Sequence, residues 1–214
     1  MKAAIAGATG LIGTQLLKLL DRSRSIDKVE VFSRKPIRGL SKKSWYHIID
    51  FDKLPESGPK RNIDVAFCCL GTTMKQAGSK EAFRLVDQVY VFNFAKWALD
   101  HGAQHFLLVS SMGANPRSSV FYNKVKGEVE DEISSLDFYS TSIFRPSLLL
   151  GNRKQKRGGE QFAQKLSRVI NPLIPAKYKG IEDKCVARAM MQVAQNETQG
   201  ERIILNDEIL KLGK

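Results

Sequence analysis

The chain has 214 residues, 43% of them hydrophobic and 26% charged, which is globular composition and excludes a disordered chain. No apolar run approaches the roughly 18 residues that span a bilayer, and glycines at 7, 10 and 13 break the apolar N-terminus, so neither a membrane span nor a secretory signal is expected. The formal net charge of +12 is concentrated in two segments: five basic residues and no acid over 34–49, and eight basic residues against one acid over 151–179. The remainder is balanced, with 21 charges of each sign. Nucleic-acid binding would rest on that charge alone, because no nucleic-acid motif accompanies it. Three cysteines, two of them the adjacent Cys68 and Cys69, make no disulfide framework and no metal spacing. They read as buried thiols in a reduced compartment, and the cytoplasm is the expected location.

Short apolar runs alternate with helical patterns along the chain. Strands are predicted over 2–6, 29–32, 45–49, 64–70, 106–109, 139–144 and 202–205. Helices are predicted over 10–22, 79–101, 119–136, 160–170 and 181–195. In the long helix over 79–101, Ser79 is the N-cap and Gly102 the stop, with apolar positions that include Val86 and Val89. Repeated strand–helix alternation predicts an α/β fold, a doubly wound parallel sheet with helices on both faces. Residues 1–214 are expected to form one domain, with 151–200 as a small cap on the substrate side.

The first strand runs into Gly7-Ala8-Thr9-Gly10-Leu11-Ile12-Gly13, glycines spaced as a dinucleotide loop requires. Gly7 permits the tight turn, Gly10 admits a pyrophosphate against the backbone, and Gly13 lets the helix pack closely. The helix N-terminus then offers free N–H groups to phosphate, so Thr9, Leu11 and Ile12 join the candidate cofactor residues. An acid ending the second strand would select NAD; here Ser33-Arg34-Lys35 stand there, and a guanidinium suits the 2′-phosphate of NADP(H). Asp50 and Phe51 end the third strand, where a carboxylate could accept from the adenine amino group or simply make a turn. Gly71, Thr72 and Thr73 end the fourth, placed to meet a ribose.

The fifth strand ends in Ser110-Ser111, and Tyr122 and Lys126 follow at helical i, i+4 spacing. An ammonium beside a phenol stabilises phenolate and brings the Tyr pKa down from about 10, which makes Tyr122 a usable general acid or base. Each pattern alone is weak, and a solvated helix face would explain the Tyr–Lys pair in most proteins. Their order along the chain is much more specific.

With that order in view, the chain resembles the atypical short-chain dehydrogenases/reductases, and within them it is similar to the Tat-interacting-protein-type oxidoreductases. The matching passages are 7–13, 69–73 with Ala77-Gly78, 106–113 (FLLVSSMG), 122–130 (YNKVKGEVE) and 144–150 (FRPSLLL), so the likeness covers about residues 2–205. The resemblance implies a Rossmann fold, kinship with nucleoside-diphosphate-sugar epimerases, NADPH as cofactor, and a Ser111–Tyr122–Lys126 triad with Ser110 as the rival serine. It also implies that Lys126 holds the nicotinamide ribose and that Pro146, Ser147 and Leu148 lie against the nicotinamide. The polar residue that completes a proton relay from the preceding long helix in many relatives has no clear counterpart, and Asn93 stands there by position only.

Sixty-three residues follow Gly151, fewer than the substrate domain of the sugar-nucleotide epimerases, so a large sugar nucleotide fits poorly. Arg153, Lys154, Lys156 and Arg157 follow the sixth strand, either as a lid that steers an anionic substrate or as a solvated loop. His47, His101 and His105 form no metal spacing. The expected activity is NADPH-dependent reduction or oxidation of a small carbonyl or alcohol; the alternative is a non-catalytic, NADPH-sensing regulator that binds a protein partner.

Overall fold

A computed structural model of the chain describes residues 1–150 and 175–214, apart from Arg38, Leu40 and Glu197. The helix expected over 160–170 and the basic stretch 153–157 lie outside the described residues. The strands are β1 (Lys2–Ala6), β2 (Lys28–Ser33), β3 (Ser44–Ile48), β4 (Val65–Cys68), β5 (His105–Val109), β6 (Ser140–Arg145) and β7 (Gly200–Leu205). All pair in parallel in the order β3-β2-β1-β4-β5-β6-β7. The doubly wound sheet is therefore as the sequence predicts, with strand ends displaced by one or two residues.

Because every strand runs the same way, every strand's carboxyl end lies on one edge, and the order reverses between β1 and β4, where ligands bind in such sheets. The central strands β1, β4 and β5 are buried on both faces, as a sheet covered on both sides requires, while the edge strands β3 and β7 are largely exposed. On one face Ile5, Val29, Val31, Phe67 and Leu107 pack under α1 (Leu11–Arg22) and a late helix, Asp183–Gln195. On the other, Phe32, Phe94, Trp97 and Phe106 form an aromatic core.

Between these elements lie two short helices, α2 (Leu54–Ser57) and α3 (Met74–Ala77), which the sequence pattern did not indicate. The predicted helix over 79–101 is divided. It runs as α4 (Lys80–Arg84), a π-helical turn (Leu85–Val89) and α5 (Tyr90–Asp100). Ser79 caps α4 through the Ala82 N–H, as expected. After β5 comes α6 (Phe121–Ser134), whose Val125, Val129 and Ile133 recur every four residues and are buried. Asp183–Gln195 is α7, and a last helix, α8 (Asn206–Leu212), follows β7.

The histidines serve packing. His47 Nε2 lies 2.5 Å from the buried Glu30 carboxylate, His101 Nδ1 is 2.7 Å from the Trp97 carbonyl, and His105 Nε2 is 3.0 Å from Ser142 Oγ.

Candidate functional site

The glycine loop spans the switch point. Gly7 has φ +83°, a conformation side chains rarely adopt, and a Cβ there would stand 2.4 Å from the Cys69 carbonyl group. A Cβ on Gly13 would stand 2.2 Å from Gly7 O, so α1 crosses the loop as closely as the sequence argument requires. Gly10 is the N-cap of α1 and supplies no side-chain cap, so the N–H groups of the first turn have no side-chain acceptor from it. Thr9 and Gly10 are exposed, Leu11 is half-buried, and Ile12 packs in the core, so Ile12 can offer a ligand only its backbone.

At the end of β2, Ser33 is buried and donates from Oγ to the Lys35 carbonyl at 2.7 Å. That tight turn leaves Arg34 and Lys35 exposed side by side at the sheet edge. Beyond β3, Asp50 is exposed and accepts the Asp52 N–H at 3.2 Å. Phe51 is only 2% exposed and stacks on Tyr90, so its side chain belongs to the core. Asn93 donates to the Phe51 carbonyl at 2.9 Å and so secures this loop.

Gly71 follows β4 and is exposed, while the Thr73 side chain caps α3. Thr72 donates its N–H to Asp87 Oδ2 at 2.7 Å. Asp87 sits in the π-helical turn, fully buried, and its Oδ1 pairs with Lys126 Nζ at 2.8 Å. Lys126 is itself 4% exposed. Burial pulls its pKa down, but the charge of Asp87, the Tyr122 phenol, the hydrogen bond to Asp87 and the nearby Cys68 together outweigh that, and the net shift is upward. Tyr122 lies one turn before Lys126 on α6, its ring packed 5.5 Å from the ring of buried Phe83. The Oγ atoms of Ser110 and Ser111 are buried and have no hydrogen-bond partner among the described residues. A buried hydroxyl without a partner is costly unless a ligand completes it.

Beyond β6, the Met112 N–H bonds the Pro146 carbonyl at 2.9 Å, which joins the β5 and β6 exits. Ser147 donates its N–H to Asn206 Oδ1 at 2.9 Å and its Oγ to the Lys179 carbonyl, so its side chain holds the segment 175–180. Leu148 is exposed. The strand order thus sets the sequence-predicted loops along one sheet edge, the glycine loop between the β2 and β4 exits and the Ser110-Ser111 exit of β5 between those of β4 and β6, with Gly71 close to Lys126.

The semialdehyde dehydrogenase NAD-binding domain model matches residues 2–97. Protein HTATIP2 from Rattus norvegicus is 37% identical across 98% of this chain and 88% of its own length. The chain belongs to the HTATIP2/FMP52 family. Protein FMP52, mitochondrial, from Debaryomyces hansenii is 36% identical across 94% of this chain and 91% of its own length. Among solved structures, MoeE5 in complex with UDP-glucuronic acid and NAD superposes with a TM-score of 0.73 at 15% identity, over 100% of this chain and 81% of that one. This HTATIP2/FMP52 member has a Rossmann-like fold shared with that NAD complex and with UDP-sugar epimerases, which supports a nicotinamide cofactor.

The family corrects one expectation. Several HTATIP2/FMP52 relatives are named mitochondrial, which overturns the cytoplasmic location inferred from the sequence. Free cysteines do not distinguish the cytosol from an organelle, since an address is read by a receptor and leaves no mark on the core. No helix among the described residues is long and apolar enough to cross a membrane. Sequence reasoning also missed Asp87. The signal available was an acid at the centre of an apolar helix pattern, on the element preceding β5.

Proposed function

We propose that the protein is an NADPH-dependent oxidoreductase that acts on a small carbonyl or alcohol with Tyr122 as general acid/base. The observation that carries this reading is Lys126, a buried ammonium one helical turn from Tyr122, on the same edge as the unpartnered hydroxyl of Ser111. Arg34 and Lys35 stand where a 2′-phosphate would lie, and no acid ends β2 to favour NAD. Gly7, Thr9, Gly10, Leu11 and Ile12 would cradle the pyrophosphate through backbone N–H groups. Gly71 to Thr73 and Pro146 to Leu148 would flank the nicotinamide half.

The bound cofactor would supply the hydride. In the reductive direction Ser111 Oγ donates a hydrogen bond to the substrate carbonyl oxygen and fixes its position. Tyr122 delivers its phenolic proton to that oxygen, and the Lys126 ammonium stabilises the phenolate left behind. Ser110 is the adjacent hydroxyl, and its own replacement would separate the two serines. The cap expected over 151–200 belongs to the same proposal. Its first described residues, 175–182, are tied to the β6 exit by Ser147 and by the Ile181 N–H to the Leu148 carbonyl at 3.0 Å.

The test is Tyr122→Phe. NADPH oxidation on a carbonyl panel should fall at least about 10²-fold while NADPH affinity stays within about threefold. Full turnover by the mutant contradicts the mechanism. No turnover by either protein, with NADPH-dependent capture of another protein, would favour a regulator.

A further inference from the structure

The buried ion pair in the π-helical turn has a consequence for how the lysine works. Lys126 would be costly to bury as an isolated ammonium, and burial by itself would drive it neutral. Three elements meet around it. Asp87 Oδ1 approaches from the π-helical turn at 2.8 Å, and Asp87 Oδ2 takes the Thr72 N–H from the loop after β4 at 2.7 Å. On α6 itself Tyr122 acts on the lysine, and from β4 the buried Cys68 thiol faces the pair. Cys68 is pushed up to about 12 by burial, so it contributes no charge near neutrality. A Cβ added at Gly71 would stand 3.3 Å from Asp87 Oδ1 and 3.7 Å from Lys126 Nζ, so the pair lies directly behind the backbone proposed to meet the cofactor.

We propose that Asp87 is a positioning residue that holds Lys126 as an ammonium against the β4 loop, so that Tyr122 meets a charged lysine across the neutral and mildly alkaline range. The inference rests on the reading of Tyr122 as general acid/base and supplies what keeps its partner charged. Asp87 touches neither substrate nor cofactor. It acts through Lys126 and, by the Thr72 N–H, makes the lysine and the cofactor-side loop one unit.

Thermal unfolding of the full chain tests this without a substrate. Wild type, Asp87→Asn and Asp87→Asn/Lys126→Met are melted between about pH 6 and about pH 9.5. Asp87→Asn should lower Tm by about 5–10 °C at the acid end. The deficit should shrink by half or more as pH rises. The sign follows from proton counting: without its partner the folded lysine binds its proton less tightly than the unfolded one, so stability returns as pH climbs toward about 10. Lys126→Met in the same background should abolish that slope. A deficit that does not change with pH, or no deficit, overturns the proposal. If Asp87→Asn fails to fold, folding of the double mutant supports the charge argument and failure of both overturns it. With turnover in hand, Asp87→Asn should lose kcat progressively as pH rises while wild type does not, and Asp87→Glu should restore the wild-type profile. Wild-type turnover by Tyr122→Phe would sink the underlying reading and leave the melting result standing.

Discussion

His105 shows how a single buried group sets the acid limit of the fold. Its ring is enclosed at the start of β5, Nδ1 has no hydrogen-bond partner among the described residues, and burial pushes its pKa down from 6.5 to about 4. Between those values the unfolded chain binds the extra proton and the folded chain does not. Stability is therefore complete above about pH 6.5 and declines as pH falls toward 4, by about 3 kcal/mol in all. Denaturant titrations at pH 7 and pH 4.5 should show that loss for wild type and a clearly smaller one for His105→Gln. Equal losses would place the acid sensitivity elsewhere. The glycine loop offers a second prediction at this scale. Gly7→Ala must adopt a positive φ and clash with the Cys69 backbone, so it should cost about 2 kcal/mol or more and weaken cofactor binding, as read by melting and by nicotinamide fluorescence. The candidate residues legible in the sequence were those fixed by local spacing: Gly7 to Gly13, and Tyr122 with Lys126. Asn206 was not legible. It is buried and bonds Ser147, Ala176 and Lys179, partners that no local pattern connects to it.

The π-helical turn shows why element boundaries resisted the same reading. A regular 3.6-residue period made Val89 a core position, yet Val89 is 38% exposed and Asp87 is fully buried. One extra residue in the turn changes which side chains face inward, and π turns of this kind recur at functional sites. Short helices such as α3 and α8 carry too few residues to declare a period, and strand ends drifted because hydrogen-bonded pairing and apolar runs do not share their limits: β4 pairs only over 65–68 of the apolar run 64–70, whereas β7 pairs from 200, two residues before its apolar pattern. The element that carries Tyr122 and Lys126 is held from two sides. Arg145 at the end of β6 reaches Glu130 on α6 with Nε 3.1 Å from both carboxylate oxygens. Gly127 lets α6 pass the segment at Asn115 and Pro116, and a Cβ there would stand 2.2 Å from Pro116 N. Gly127→Ala should push that end of α6 outward, cost about 1–3 kcal/mol and reduce turnover more than NADPH affinity. Unchanged kcat with an unchanged melt would show that the segment yields freely.

Across the whole molecule, one topological fact gathers the site. Six of the seven parallel strands, β1 to β6, deliver Gly7, Ser33, Asp50, Gly71, Ser111 and Pro146 to the same edge from positions spread over 140 residues of sequence. Alternation of strand and helix was enough to foresee this, because parallel strands require crossovers and crossovers bring carboxyl ends together. The charge distribution gains a location as well. The first basic segment begins where β2 ends, and its exposed Arg34 and Lys35 flank the crevice beside the glycine loop. The second continues from the β6 exit, of which Lys177 and Lys179 are described and 151–174 are not. A polyanion-coating protein has no need of this arrangement; the proposed cationic clamp on an NADPH 2′-phosphate would use it.

That clamp makes the claim of NADPH dependence directly measurable. NADPH and NADH are titrated, by nicotinamide fluorescence, into wild type and Arg34→Ala. Charge-assisted hydrogen bonds from a guanidinium to the 2′-phosphate are worth about 1.5–3 kcal/mol, so wild type should bind NADPH at least about tenfold more tightly than NADH. Arg34→Ala should lose most of that preference while its affinity for NADH hardly changes. Equal affinities in wild type, or a preference that survives in Arg34→Ala, would contradict the account.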